Sequence, residues 1–219
     1  MHTSIFTIPL WLDLTAVAVG SIQGAMFAGR MKEHRIDLLG VTIIGFVVGL
    51  GGGLLRDILL NVTPAMMQTN WYLITAVLAA LAGMLLQRIF SRLNTVIIGL
   101  DAVTIGLFGA IGTTKALAYG VPVVPAVFVG VIAAVGGSIL RDMILNLPIA
   151  LMHVGSLYAA AAAAGTILLV VLAAAGVDIT AAGIACVVVT TLIRLLAVKF
   201  GWSLPEQRAI GSWMRWRRG

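Results

Sequence analysis

Seven long apolar stretches, separated by short polar or Gly- and Pro-bearing breaks, organise the chain. They cover residues 8–28, 38–60, 71–90, 95–118, 123–145, 154–175 and 179–200. Each has the roughly 20 residues that a helix rising about 1.5 Å per residue needs to cross a bilayer. Backbone polar groups left open in lipid are costly, so a helix, which satisfies its own, is the expected form. The strands of a membrane barrel would alternate in polarity over about ten residues. The uniform run AAAAAAG at residues 159–165 does not. The pattern predicts an all-α integral membrane protein with seven transmembrane helices.

Composition narrows this further. Of 219 residues 61% are hydrophobic and only 10% charged, with a mean hydropathy of +1.10. An ordinary soluble domain carries about a quarter charged residues. A soluble enzyme, a disordered tail and a nucleic-acid-binding domain are thereby excluded. The net charge of +6 does not point to nucleic acid, because the basic residues stand beside the apolar runs. The lone Cys186 builds neither a disulfide framework nor a metal site. The N-terminus, Met1-His2-Thr3-Ser4, lacks the positive region of a cleavable signal, so the first stretch reads as a retained span.

The basic residues orient the spans. One face receives the N-terminus and the connections 61–70, 119–122 and 176–178, which contain no Lys or Arg. The other receives Arg30, Lys32, Arg35, Arg88, Arg92, Arg194, Lys199, Arg208, Arg215, Arg217 and Arg218. The positive-inside rule puts that second face in the cytoplasm of a cell (inner) membrane, with the N-terminus outside and the C-terminus inside.

An internal repeat is the most informative feature. Residues 45–67 read GFVVGLGGGLLRDILLNVTPAMM and residues 130–152 read GVIAAVGGSILRDMILNLPIALM, with ten of twenty-three positions identical at an offset of 85. Upstream, Leu12-Asp13 matches Leu100-Asp101 and Gly24 matches Gly112. Three spans per repeat make consecutive repeats insert in opposite directions, the inverted architecture of many transport proteins. Small-residue packing alone would not require Arg-Asp and Asn at matched offsets. The chain is read as one channel domain over 1–200, with repeat one at 8–90, repeat two at 95–175 and a seventh helix at 179–200. A Trp/Arg-rich cytoplasmic tail, 201–219, suits an anionic lipid interface.

Two groups of residues carry the candidate chemistry. Gly51, Gly52 and Gly53 lie within span 2, and Gly136, Gly137 and Ser138 within span 5. Each Gly weakens a helix interior by about 1 kcal/mol relative to Ala. The clusters are expected to kink or break their helices, as hinges or as carbonyls facing a water-filled path; close helix–helix contact is the alternative. The second group is Asp13, Arg56, Asp57, Asp101, Lys115, Arg141 and Asp142, charges within or at the ends of spans. Such residues usually face a bundle interior or an aqueous cavity. Matching depths predict the pairs Asp13–Arg56 and Asp101–Arg141, against snorkelling of each Arg. Lys115 breaks the symmetry, its repeat-one position being Phe27, and is either a gate or selectivity element or a snorkelling lysine. Gln23, Thr113 and Thr114 are candidate uncharged oxygen ligands, although Thr more often bonds back to its own helix. No Walker A sequence, nucleophile elbow, metal cluster or TVGYG filter is present, and the chain is read as neither an enzyme nor a cofactor protein.

The paired GGGLLRD and GGSILRD segments, in two three-span repeats plus a seventh helix, resemble the trimeric intracellular cation (TRIC) channel family, in its prokaryotic branch. The same domain is also labelled "glycine transporter". The resemblance covers about residues 8–200. It implies a homotrimer with a pore in each subunit, kinked second and fifth helices around it, and monovalent cations, chiefly potassium, as permeants. By position it makes Gly51, Gly52, Gly53, Gly136 and Gly137 hinge residues and Arg56, Asp57, Arg141 and Asp142 the motif charges, with Ser138 a departure. The phosphoinositide-binding basic motif of animal members is not seen. The expected partners are cations, membrane lipid and further copies of the chain. A secondary transporter of glycine or another small zwitterion is the alternative that the same inverted repeat accommodates.

Overall fold

The computed structural model describes residues 8–31, 36–90, 94–152 and 157–203. Within them run seven long helices: α1 (Leu10–Ala28), α2 (Leu38–Leu59), α3 (Asn70–Phe90), α4 (Asn94–Ala118), α5 (Val123–Ile144), α6 (Tyr158–Ala174) and α7 (Ile179–Phe200). Six have the length and apolarity to cross a membrane, with mean hydropathy between 1.3 and 2.4, and α6 is a shorter apolar helix of 17 residues. The chain is a multi-pass membrane protein. The sequence-predicted spans and the helices agree to within a few residues at each end. Two short turns were not foreseen, a helical one at Ala65–Gln68 after α2 and a 3₁₀ turn at Ala150–Met152 after α5.

Local chemistry sets the helix ends. Pro9 and Pro122 precede α1 and α5, where a missing N–H is harmless. The Asp37 carboxylate accepts the N–H of Gly40 at 2.7 Å to cap α2. Asp178 caps α7 by accepting from Thr180 and Ala181, and these N–H donors hold its carboxyl below the usual carboxylate range. At the far ends of α2 and α5, Asn61 (φ 52°) and Asn146 (φ 49°) turn left-handed, a conformation Asn tolerates. The next N–H groups, of Val62 and Leu147, close onto the carbonyls of Asp57 and Asp142 at 3.0 and 2.8 Å. This is the six-residue closure of a Schellman cap. The repeated Asn is therefore a helix stop at the same place in each repeat.

The two repeats pack alike and face each other. Within the first, α1 lies against α2 and α3; within the second, α4 lies against α5. Between them, α2 meets α5 and α1 meets α4, each helix touching its own counterpart, as a two-fold relation requires. The exception is α7, which packs against both α4 and α6 and takes much of the contact that α1 and α3 make directly with each other. Large apolar side chains such as Trp11, Leu78, Phe128 and Ile184 point outward, as lipid contact allows.

The glycine clusters do not break their helices. Residues 51–53 and 136–138 are helical throughout. Their lack of side chains is used for close approach. A methyl on Gly51 would stand 3.3 Å from the Gly137 Cα, and one on Gly136 3.4 Å from the Gly52 Cα. A methyl on Gly52 would overlap the Ala133 carbonyl oxygen, and one on Gly137 the Val48 carbonyl oxygen. The α2–α5 contact is thus backbone on backbone, at the centre of the repeat symmetry.

This changes what a substitution there does. Gly52→Ala forces α2 off α5, an overpacking expected to destabilise by about 1–3 kcal/mol or more. Gly99, in α4, has nothing within 4 Å of an added methyl, so Gly99→Ala is expected to be neutral or stabilising by up to about 1 kcal/mol. Thermal unfolding of the detergent-solubilised variants checks both, and a Gly52→Ala protein as stable as wild type would contradict the contact.

Candidate functional site

The doubled Arg-Asp motif folds into the same knot at the ends of α2 and α5. Arg56 turns onto its neighbour, donating from Nε to Asp57 Oδ1 at 2.7 Å and from Nη2 to Oδ2 at 3.1 Å. Arg141 does the same with Asp142, Nε to Oδ1 at 2.8 Å, with Nη2 at 2.7 Å from the same oxygen. In each repeat the Asp Oδ2 also accepts an N–H from the following connection, Ala65 at 2.8 Å and Ala150 at 3.0 Å. All four motif charges are buried. The motif thus ties the end of its helix to the chain that leaves it.

Around the first knot stands a buried cluster near the face where α1 begins. Asp13 lies 3.8 Å from Arg56 Nη1 and accepts from the Tyr72 hydroxyl at 2.7 Å. Lys115, from the other repeat, donates to Asp57 Oδ1 at 2.8 Å. Its side chain is 16% exposed, so it is held in an ion pair rather than snorkelling outward. Two carboxylates thus meet two cations. Beside them, Asp13, Gly53, Arg56, Asp57, Met66 and Tyr72 line a recess with room for about one water molecule. A methyl on Gly53 would meet only Arg56 within 4 Å, so this glycine leaves space in the recess.

The second cluster, near the opposite face, corrects the sequence-based pairing of Asp101 with Arg141. Asp101 Oδ1 accepts from the Tyr158 hydroxyl at 2.6 Å and from Gln23 Nε2 at 3.2 Å. Its cation is Arg194 of α7, with Nη2 3.6 Å from Oδ2. Arg141 is engaged by Asp142 and lies over the Phe27 ring, 3.9 Å from its centroid. Phe27 occupies the repeat-one counterpart of Lys115, so one position contacts the opposite repeat's motif by a salt bridge in one half and by cation–π contact in the other. Ser138, the counterpart of Gly53, shares a 2.8 Å hydrogen bond with the Tyr158 hydroxyl. The side chain missing from the first recess is here present and bonded.

Several residues were missed or misplaced by sequence reasoning. Tyr72 and Tyr158 stand near the start of the third helix of each repeat, but at an offset of 86 rather than 85. Turns of unequal geometry between the helices hide that equivalence from a constant-offset alignment. Arg194, counted with the membrane-flanking basic residues, is buried against Asp101. Gln23 joins the second cluster. Thr113 is buried against Gly130, and Thr114 lines an apolar groove between α1, α4 and α7 rather than the recess. Arg30 and Lys199 are exposed near helix ends, whereas Lys32, Arg35, Arg92 and the tail from residue 204 lie outside the described residues.

The pairing is open to a direct check. A double-mutant cycle on Asp13→Asn and Arg56→Gln is expected to show a coupling of at least about 0.5 kcal/mol in thermal or denaturant unfolding, because one lone buried charge is worse than none. The cycle on Asp101→Asn and Arg141→Gln is expected to couple less, since no direct ion pair joins them. The reverse order would contradict the geometry.

Relatives agree with this architecture. A family model described as "Glycine transporter" matches residues 10–88 and again residues 98–174, one match on each repeat. The chain is 35% identical over 208 residues to a UPF0126 membrane protein of Vibrio cholerae, covering 93% of this chain and 85% of that one. It is 34% identical over 198 residues to the UPF0126 inner membrane protein YadS of Escherichia coli K12, covering 89% and 94%. A structure solved to explain conductance through TRIC cation channels superposes with a TM-score of 0.77 at 32% identity, over 92% of this chain and 98% of that one. The TRIC trimeric intracellular cation channel orthologue from Rhodobacter sphaeroides superposes with a TM-score of 0.80 at 29% identity, over 88% and 98%. With both repeats matched and nearly the whole helical bundle superposed, the chain belongs to the TRIC cation channel family, in its prokaryotic branch.

Proposed function

We propose that the protein is a passive monovalent cation channel, with potassium as its principal permeant and a path in each subunit of a homotrimer. The observation that carries this reading is the Lys115–Asp57 ion pair of 2.8 Å, made between the two repeats beside a narrow polar recess. A carboxylate at membrane depth is a cation site only while no fixed cation occupies it. With Lys115 in place Asp57 is neutralised, and the recess is too small for a hydrated ion. Withdrawal of Lys115 would leave Asp13 and Asp57 to attract one. In this reading Arg56 and Arg141 hold the carboxylates in position. Gly51, Gly52, Gly136 and Gly137 form a smooth pivot on which α2 and α5 rotate without unlocking side chains. Gly53 keeps the recess open, and Ser138 fixes Tyr158. Asp101 and Asp142 serve the other end of the path.

The same reading puts the first cluster at the outer face and the second at the cytoplasmic face of the inner membrane, with the N-terminus outside and the C-terminus inside. Exposed Arg30 and Lys199 at the cytoplasmic helix ends support it. The tail 204–219, rich in Trp and Arg, is assigned to the cytoplasmic lipid interface on composition. Trimer assembly is taken from the orthologue described as trimeric. No cofactor or nucleic acid enters the mechanism.

The description of the family model favours one competing reading, a carrier of glycine. Reconstitution separates the two. Unitary cation currents in planar bilayers, with no saturable glycine uptake into liposomes, are expected; saturable uptake without unitary currents would overturn the channel reading. Lys115→Gln is expected to raise cation conductance or open probability, more at low than at high KCl, because screening is weakest there. At an effective dielectric of 20, two unit charges about 6 Å apart interact by nearly 3 kcal/mol, so even a fraction of that alters current. Currents equal to wild type in both salts would remove Lys115 from the path.

A further inference from the structure

The second cluster fills with a side chain what the first leaves as space. There the Tyr158 hydroxyl donates to Asp101 at 2.6 Å, so in its 2.8 Å bond with Ser138 the serine is the donor. In the first cluster the Tyr72 hydroxyl likewise donates to Asp13, at 2.7 Å, but the residue in the place of Ser138 is Gly53, which has no hydroxyl to offer. A phenol oxygen that has given up its proton to a partner can still accept.

Two further atoms of the first cluster have hydrogen-bonding capacity to spare. Arg56 Nη1 is buried and has no acceptor within hydrogen-bond distance among the described residues. Asp13 Oδ1 stands 3.8 Å from it, too far for a direct hydrogen bond and suited to one relayed through a third atom. A buried N–H without an acceptor is costly, and such groups almost always have a partner, from protein or water. Asp13, Arg56, Tyr72 and Gly53 all line the recess, which has room for about one water molecule. Helix packing does not demand glycine at residue 53, since a methyl there would come no nearer to Arg56 than 3.7 Å. What the missing side chain leaves open is the recess itself.

We propose that the first cluster binds one ordered water molecule, in the place that the Ser138 hydroxyl takes in the second. The water accepts from Arg56 Nη1 and donates to the Tyr72 oxygen and to Asp13 Oδ1. Three polar partners are the usual complement of a buried water. It joins Arg56 of α2 to Asp13 of α1 across their 3.8 Å gap. The inference stands apart from the channel reading, because it follows from hydrogen-bond satisfaction alone. It gives the two ends of the inverted repeat the same bonding by different means, a serine hydroxyl at one and a bound water at the other.

Radiolytic hydroxyl labelling of the full chain reads bound water directly, since radicals formed from it attack the side chains beside it. Tyr72 and Tyr158 are both buried, at 7% and 4% exposed. Tyr72 is expected to be oxidised several-fold faster than Tyr158. Gly53→Ser, whose hydroxyl takes the place of the water, is expected to bring Tyr72 down to the Tyr158 rate. Equal rates in the wild type, or a Tyr72 rate that Gly53→Ser leaves unchanged, overturn the proposal. Thermal unfolding is the second arm. Helix propensity alone makes Gly53→Ala the more stable of the two variants. With a water in the site, the Ala methyl displaces it and strands Arg56 Nη1, whereas Ser replaces its oxygen. Gly53→Ser is therefore expected to melt higher than Gly53→Ala by about 2 °C or more. Gly53→Ala melting as high as Gly53→Ser, or a Gly53→Ser chain that does not assemble, overturns the proposal.

Discussion

Charge buried at membrane depth is the constraint on which this structure turns. Four carboxylates, Asp13, Asp57, Asp101 and Asp142, lie buried within the helical bundle, and each is met by an arginine or lysine within 4 Å. An uncompensated charge there would be strongly destabilising. Three of these pairs join helices: α1 with α2 through Asp13 and Arg56, α2 with α4 through Asp57 and Lys115, and α4 with α7 through Asp101 and Arg194. Hydrogen bonds from Tyr72 and Tyr158 bring α3 and α6 into the same clusters. The bundle is held by packing over its length and by ion pairs toward its two ends.

Between those ends, α2 and α5 cross with almost no side-chain volume. The glycines that seem from sequence to weaken the helices leave them continuous and let two backbones touch. The side chains that reach these glycines across the contact are those of Leu140, beside Gly51, and Leu55, beside Gly136. The polar clusters sit on either side of the crossing.

The two halves are alike in backbone and unlike in detail. Gly53 opposes Ser138, Phe27 opposes Lys115, and α7 accompanies only the second repeat. Each difference changes charge or space at one end of the bundle while the shared Arg-Asp knot and Asn stop are kept. An inverted repeat with identical halves would present the same chemistry to both sides of the membrane. These substitutions make the ends distinct: one has a recess and a lysine from the opposite repeat, the other a bonded serine and an arginine from the seventh helix.

The number of spans, the doubling and the Arg-Asp motif were legible from sequence because each rests on local chemistry. An apolar run of about 20 residues has little alternative to a membrane helix, and an identical Arg-Asp-x-x-x-Asn string caps both helices through bonds within a few residues of itself. The use of the glycines was open at that level, since a residue without a side chain specifies closeness or flexibility equally well; the close approach became visible only with Ala133 and Val48 in place opposite them. The pairing of Asp101 was misread for a related reason. Depth along a helix follows from residue number, but azimuth and the identity of the neighbouring helix do not. The wedge formed by α7 gave Asp101 to Arg194, and the turn onto Asp142 occupied Arg141. Contacts between residues 93 positions apart, such as Asp101 with Arg194, leave no mark in local pattern or in repeat offset. They exist only once the helices have chosen their neighbours, and that choice was made by packing and charge balance across the whole bundle.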